Sequence, residues 1–100
     1  EVEATGSIAV FVEARDPNAL ANCDNLTVAP WGDLLLCEDT QRHCALVGVT
    51  PQGALYPFAD NAYNASELAG ACFAPDGRTL FVNIQTSGLT LAIRGPFPTA

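Results

Sequence analysis

Short apolar segments with alternating or continuous β-rich composition run along most of the chain and predict strands. Residues 7–14 read SIAVFVEA, in which larger apolar residues occupy every second position over much of the segment. The later β-rich runs are NLTVAP, DLLLCE, CALVGV, ALYPFA, GACFAP, TLFVNI and LTLAIRG. Only residues 65–71 have some helical character, which Gly70 weakens. The pattern therefore predicts an all-β protein.

Three of the breaks between these runs share a proline followed two residues later by a glycine. Proline fixes one backbone angle of a tight turn, and glycine readily takes the positive φ that such a turn requires. The three segments are Pro30-Trp31-Gly32, Pro51-Gln52-Gly53 and Pro75-Asp76-Gly77. We therefore predict antiparallel hairpins at these positions.

The first and third turns form a repeat. Their sequences, APWG and APDG, begin 45 residues apart, with another hairpin between them. A period of this length with about four short strands per unit is typical of a β-propeller blade. The repeat predicts a single β unit over residues 1–100: a lone strand at 7–14, a four-stranded blade at 24–58 and three strands of another blade at 69–94. These antiparallel blades would form an incomplete propeller; a small β-sandwich is the alternative.

Length and charge restrict the function. The chain has 100 residues, of which 49% are apolar, which suits one small domain. Its formal charge of −7 comes from eleven acids against four arginines, without a lysine. The chain therefore has almost no basic residues with which to bind nucleic acid or an anionic membrane, whereas cations are suitable partners. No apolar run is long enough to span a bilayer.

The four cysteines favour an oxidising compartment, because they are even in number in a small acidic chain. They are Cys23, Cys37, Cys44 and Cys72, for which three pairings or free thiols are open. The only histidine, His43, has no second histidine with which to form a zinc site, so we expect it on the solvated surface.

A more specific indication comes from longer blocks of sequence. The segments NCDNLTVAPWGDLLLCEDT and FAPDGRTLFVNIQT, within a match over about residues 7–97, resemble the C-terminal portion of PhoX-type alkaline phosphatases. The resemblance implies a bacterial exported protein, periplasmic or extracellular, with a six-bladed propeller. It also implies an iron and calcium cluster that hydrolyses phosphate monoesters. Family chains are several times longer, so this chain would be a terminal piece that is inactive alone.

The resemblance also indicates where metal ligands lie. In a propeller the innermost strand of each blade lines the channel, so acids at the start of that strand converge, and hard cations relieve their repulsion. Asp24 and Asn25 begin one such strand, and Glu67 precedes the equivalent strand of the next blade. Glu38 and Asp39 could reach the channel mouth from the end of the second strand. The predicted metal ligands are therefore Asp24, Asn25, Glu67 and Glu38.

Each of these residues has an alternative role. Asp24 and Asn25 could form a turn, and Glu67, Glu38 and Asp39 could be solvated loop acids. A cysteine thiolate is a suitable iron ligand. The resemblance suggests this role for Cys23 only because Cys23 lies beside Asp24.

Three functions follow from these observations. The chain is part of a metal-dependent phosphatase acting on phosphate monoesters, a free-standing extracellular calcium-binding module, or an assembly module with a structural role. Its open sheet edges would be completed by the rest of a longer chain or by other copies through strand addition.

Overall fold

Seven β-strands form the protein in the computed structural model, which describes residues 4–41 and 43–98. None of the described residues is helical, and none forms a helix that could cross a membrane. The strands are β1 (Cys23–Val28), β2 (Leu34–Glu38), β3 (Ala45–Val49), β4 (Leu55–Asp60), β5 (Leu68–Phe73), β6 (Thr79–Ile84) and β7 (Leu89–Arg94). The all-β prediction is confirmed, and residues 65–71 form no helix: residues 65–67 precede β5, and residues 68–71 belong to it.

The strands form two antiparallel sheets, and within each sheet the strands that are consecutive in sequence pair with one another. The first sheet has the order β1-β2-β3-β4, and the second has the order β5-β6-β7. This is the predicted division into four strands followed by three. The described residues form no closed propeller, so the interpretation of the sheets as blades stays a prediction.

The proline–glycine turns adopt the predicted geometry. Gly32, Gly53 and Gly77 all have positive φ, at 100°, 85° and 71°. The Gly77 N–H donates to the Ala74 carbonyl over 2.8 Å, and the Gly32 N–H donates to Ala29 over 2.9 Å. A side chain at these glycines would strain the backbone, which explains why the sequence repeats glycine there.

Register shifts interrupt three of the described ladders, and two of them lie in β1 and β5, the strands that adjoin each other where the sheets meet. The register of β1 against β2 shifts between Cys23 and Asn25, so Asp24 is an extra residue in β1. The register of β5 against β6 shifts between Ala69 and Cys72, next to Gly70 with a φ of 65°. Such bulges bend a strand and change the direction of the side chains beside them.

The main core lies between the two sheets. Leu35 and Leu46 of the first sheet and Leu80 of the second are fully buried there. Trp31 packs at one end of this core against aromatic rings from both sheets and from the segment after β7: Phe58, Phe73 and Phe97. The Trp31 ring therefore lies at the junction between the two sheets.

A second apolar cluster covers the opposite face of the first sheet. It contains Leu36, Val47 and Val49 of the sheet, and Val12 packs against it. Residues 7–14, which the alternation predicts as a strand, form no ladder with any of the described residues. A strand exists only when its backbone pairs with another strand, and this segment contacts the first sheet through side chains without such pairing.

Candidate metal centre

Three carboxylate side chains meet where the two sheets adjoin. One oxygen from each of Asp24, Asp39 and Glu67 lies within 4.8 Å of the others. Asp24 belongs to β1, Asp39 directly follows β2, and Glu67 directly precedes β5. Because β5 packs beside β1 and β2, residues far apart in sequence reach the same place.

Backbone contacts fix the three positions. The bulge places Asp24 between two paired residues of β1. The Asp39 N–H donates to the Asn22 carbonyl over 3.1 Å, and the Glu67 carbonyl accepts from the Gln85 N–H over 3.1 Å. The peptide groups are thus held by hydrogen bonds that leave the carboxylates directed at one another.

The cluster is electrostatically unfavourable without a cation. The pKa of Glu67 is raised above its usual range, first by loss of hydration and then by the negative charges of Asp39 and Asp24. A hydrogen bond with Asp24 also favours the protonated form of Glu67. A cation between these oxygens would remove the repulsion, so the arrangement suits binding of a hard metal ion.

A buried thiol adjoins the carboxylates. Burial raises the pKa of Cys37, and the charges of Asp24 and Glu67 raise it further, against a hydrogen bond from the Ala71 backbone. Cys37 is the cross-strand partner of Asn25, and the Asn25 side-chain oxygen lies 3.9 Å from the Cys37 sulfur. Asn25 therefore lies at the edge of the cluster, in contact with the thiol. All four cysteines are free.

The predicted ligand Glu38 lies elsewhere. Its side chain is buried, and one oxygen accepts a hydrogen bond from the Ala21 N–H over 3.0 Å. The other oxygen lies 3.4 Å from His43 Nδ1, and His43 Nε2 lies 2.6 Å from Asp60. The structure does not bring Glu38 to the carboxylate cluster. His43 is 58% exposed, as expected of a surface histidine, yet it contacts two acids.

Alternation along β2 explains why Asp39 belongs to the cluster and Glu38 does not. Leu35 and Cys37 face the second sheet, whereas Leu36 belongs to the cluster on the opposite face. Successive side chains of a strand point to opposite faces, so Asp39 follows the direction of Cys37, and Glu38 follows that of Leu36. Alternation in the sequence separates the two acids, and the packing of the second sheet decides which of them joins the cluster.

An open cleft of about 550 Å³ adjoins the carboxylates. Its wall is largely polar and includes Asp39, Glu67, Ser66, Gln85 and Thr86. The Ser66 hydroxyl accepts a hydrogen bond from the Thr86 N–H over 2.7 Å, which ties the loop before β5 to the turn after β6. The cluster is thus accessible to solutes from this side.

Two antiparallel sheets with carboxylates gathered at their junction define the chain as a β protein with a candidate site for hard cations. The family model described as Alkaline phosphatase PhoX matches residues 2–88. The chain therefore belongs to the PhoX alkaline phosphatase family. No curated protein and no solved structure matches it.

Proposed function

We propose that this chain is part of an extracytoplasmic, metal-dependent phosphomonoesterase, to which it contributes residues of the metal cage. The observation that carries the proposal is the convergence of Asp24, Asp39 and Glu67 in a chain of the PhoX family. Export to the periplasm or the extracellular space follows from the family, whose members are typically exported.

The donor set fits the metal that the family resemblance implies. Calcium takes six to eight oxygen ligands, and carboxylates are foremost among them. Asp24, Asp39 and Glu67 would hold such an ion, and Asn25, which follows Asp24 in β1, would contribute at the edge. A bound metal polarises phosphoryl oxygens as a Lewis acid. Iron is proposed on the family resemblance alone.

The small number of metal ligands in this chain suggests that it is inactive alone. Three carboxylates supply about half of one calcium shell, whereas a catalytic cluster needs several ligands and groups that stabilise charge on the phosphoryl oxygens. Arg78 and Arg94, together with Pro30, line a separate groove. This groove lies beyond the C-terminal ends of β1 and β5, whereas Asp24 and Glu67 lie at the N-terminal ends of these strands. The remaining ligands would come from the rest of a longer protein.

Calorimetric titration with calcium tests the proposed ligands. We expect the parent chain to bind calcium and Asp24→Ala or Glu67→Ala to weaken binding by about tenfold or more, since ligand charge sets calcium affinity. Asp76→Ala is the matched control, because Asp76 is an exposed acid in the turn after β5. A parent chain that binds no calcium at millimolar concentration would contradict the proposal for the isolated chain.

An activity assay tests the proposal that the chain is inactive alone. Purified chain supplied with iron and calcium should release no chromogenic phenol from its phosphate ester above the metal-only control. Turnover that depends on Glu67, and is lost in Glu67→Ala, would show that these two sheets form a complete catalytic site.

A further inference from the structure

We propose that residues 7–14 of one copy add as a strand to the exposed edge of β7 in a second copy. This inference is independent of the metal centre. It rests on a strand edge without a partner and a β-prone segment without a sheet, which occur at different places on the same chain.

The acceptor is the outer edge of β7. Its other edge pairs with β6 continuously, from Ile84 opposite Leu89 to Thr79 opposite Arg94. No strand of the described residues lies on the outer side. In the first sheet the equivalent position is filled by β4. Leu91 and Ile93 pack on the main core but stay only partly buried, because nothing covers them from that side.

The donor is the segment 7–14. Ile8 is 99% exposed and Val10 is 83% exposed, which is unusual for β-branched apolar side chains. No backbone–backbone hydrogen bond involves this segment among the described residues. Its peptide groups and the side chains of Ile8 and Val10 are therefore available for pairing, whereas Val12 would have to leave the second apolar cluster to join the new strand.

The two elements are complementary in pattern and in charge. Ile8, Val10 and Val12 alternate along one side of the donor and would continue the apolar row that Leu91 and Ile93 begin. The one charged residue of the donor is Glu13, and that of β7 is Arg94. Strand addition supplies main-chain hydrogen bonds, and alternate side chains set the register.

Pairing within one copy is disfavoured by the positions of the elements. The segment lies by the face of the first sheet that carries Leu36 and Val47, where Val12 packs. The second sheet packs against the opposite face. A second copy can present its β7 edge without crossing the first sheet. Donor and acceptor are different surfaces, so the contact is heterologous and builds a ring or an open filament.

Sedimentation velocity combined with hydrogen exchange tests the proposal. The parent should associate as its concentration rises through the micromolar range, and amides of both β7 and residues 7–14 should gain protection together. Val10→Pro should abolish association, because proline removes an N–H and is poorly tolerated in a paired strand. Val10 makes no backbone hydrogen bond in the monomer, so this variant should keep the parent's circular dichroism spectrum.

Thr5→Pro is the matched control, since Thr5 is exposed and lies just before the donor segment; it should associate like the parent. A parent that stays monomeric, a Val10→Pro variant that associates like the parent, or protection that excludes β7 would each overturn the proposal.

Discussion

The surroundings of Glu67 oppose its ionisation. Lost hydration and the charges of Asp39 and Asp24 raise its pKa in the folded chain. A folded-state pKa above the unfolded one means that the folded chain binds the proton more tightly. The contribution of Glu67 to the free energy of unfolding is therefore greatest when Glu67 is protonated, and it falls as the pH rises above 4.5, the ordinary pKa of this group.

Glu67→Gln should consequently raise the midpoint temperature of unfolding at pH 7 when a chelator removes divalent cations. The difference in midpoint temperature should vanish well below pH 4.5, where both side chains are neutral. Added calcium should raise the midpoint temperature of the parent more than that of the variant. Asp76→Asn, which keeps the oxygen that accepts from the Arg78 N–H, is the control and should show neither effect. A Glu67→Gln variant less stable than the parent in chelator at pH 7 would contradict the assigned repulsion.

Glu38 and Asp39 are adjacent in sequence but should respond differently to mutation. Asp39→Asn should weaken calcium binding without lowering the free energy of unfolding, because Asp39 is exposed and its charge opposes that of Glu67. Glu38→Ala should reduce the free energy of unfolding by about 1–3 kcal/mol, because it leaves the Ala21 N–H without its acceptor. Urea denaturation and calorimetry on both variants provide the measurements. If Glu38→Ala weakened calcium binding and Asp39→Asn instead lowered the free energy of unfolding, the assignment of these residues to the two faces of β2 would be wrong.

At the scale of the elements, the bulges position the site more than the regular strands do. Regular pairing of β1 would leave no extra residue at Asp24. The bulge of β5 depends on Gly70, which has a positive φ, and a Cβ there would lie 2.8 Å from the Asn83 amide nitrogen. That nitrogen already donates to the Ala69 carbonyl over 3.1 Å. Both backbone strain and a close contact therefore oppose a side chain at this position.

Gly70→Ala should thus destabilise the fold by about 1–2 kcal/mol or more, the cost of a side chain in left-handed backbone. Gly6→Ala is the control, because no atom lies within 4 Å of a Cβ built there, and its effect should stay within about 0.5 kcal/mol. Chemical denaturation measures both. Equal effects would show that the bulge places no special demand on residue 70.

The sequence could predict features that depend on local patterns, but not features that depend on strand pairing or on packing between the sheets. Strands and turns depend on local patterns, and the repeated glycine after proline located the hairpins around Gly32 and Gly77. The bulge at Asp24 has no such local signature, since it arises from the pairing of β1 with β2. The choice of Asp39 over Glu38 required knowing which face of β2 meets the second sheet, and that is a tertiary property.

At the scale of the whole molecule, the two sheets explain both the core and the open surfaces. Sheet packing buries Leu35, Leu46 and Leu80 completely, yet it leaves Leu26 and Val28 of β1 largely exposed, at 58% and 62%. Exposed apolar side chains on an edge strand such as β1 are expected where a further sheet or chain would pack. This agrees with the proposal that the chain works as part of a larger β assembly, either within a longer protein or among copies.

The central claim is that Asp24, Asp39 and Glu67 together hold a hard cation. Anomalous diffraction from crystals grown with manganese, which prefers oxygen ligands as calcium does, locates such an ion directly. The account predicts an anomalous peak within bonding distance of oxygens from all three residues, and its loss in Glu67→Gln crystals. A peak elsewhere, for example beside Glu38 and Asp60, with none at the three carboxylates, would contradict it.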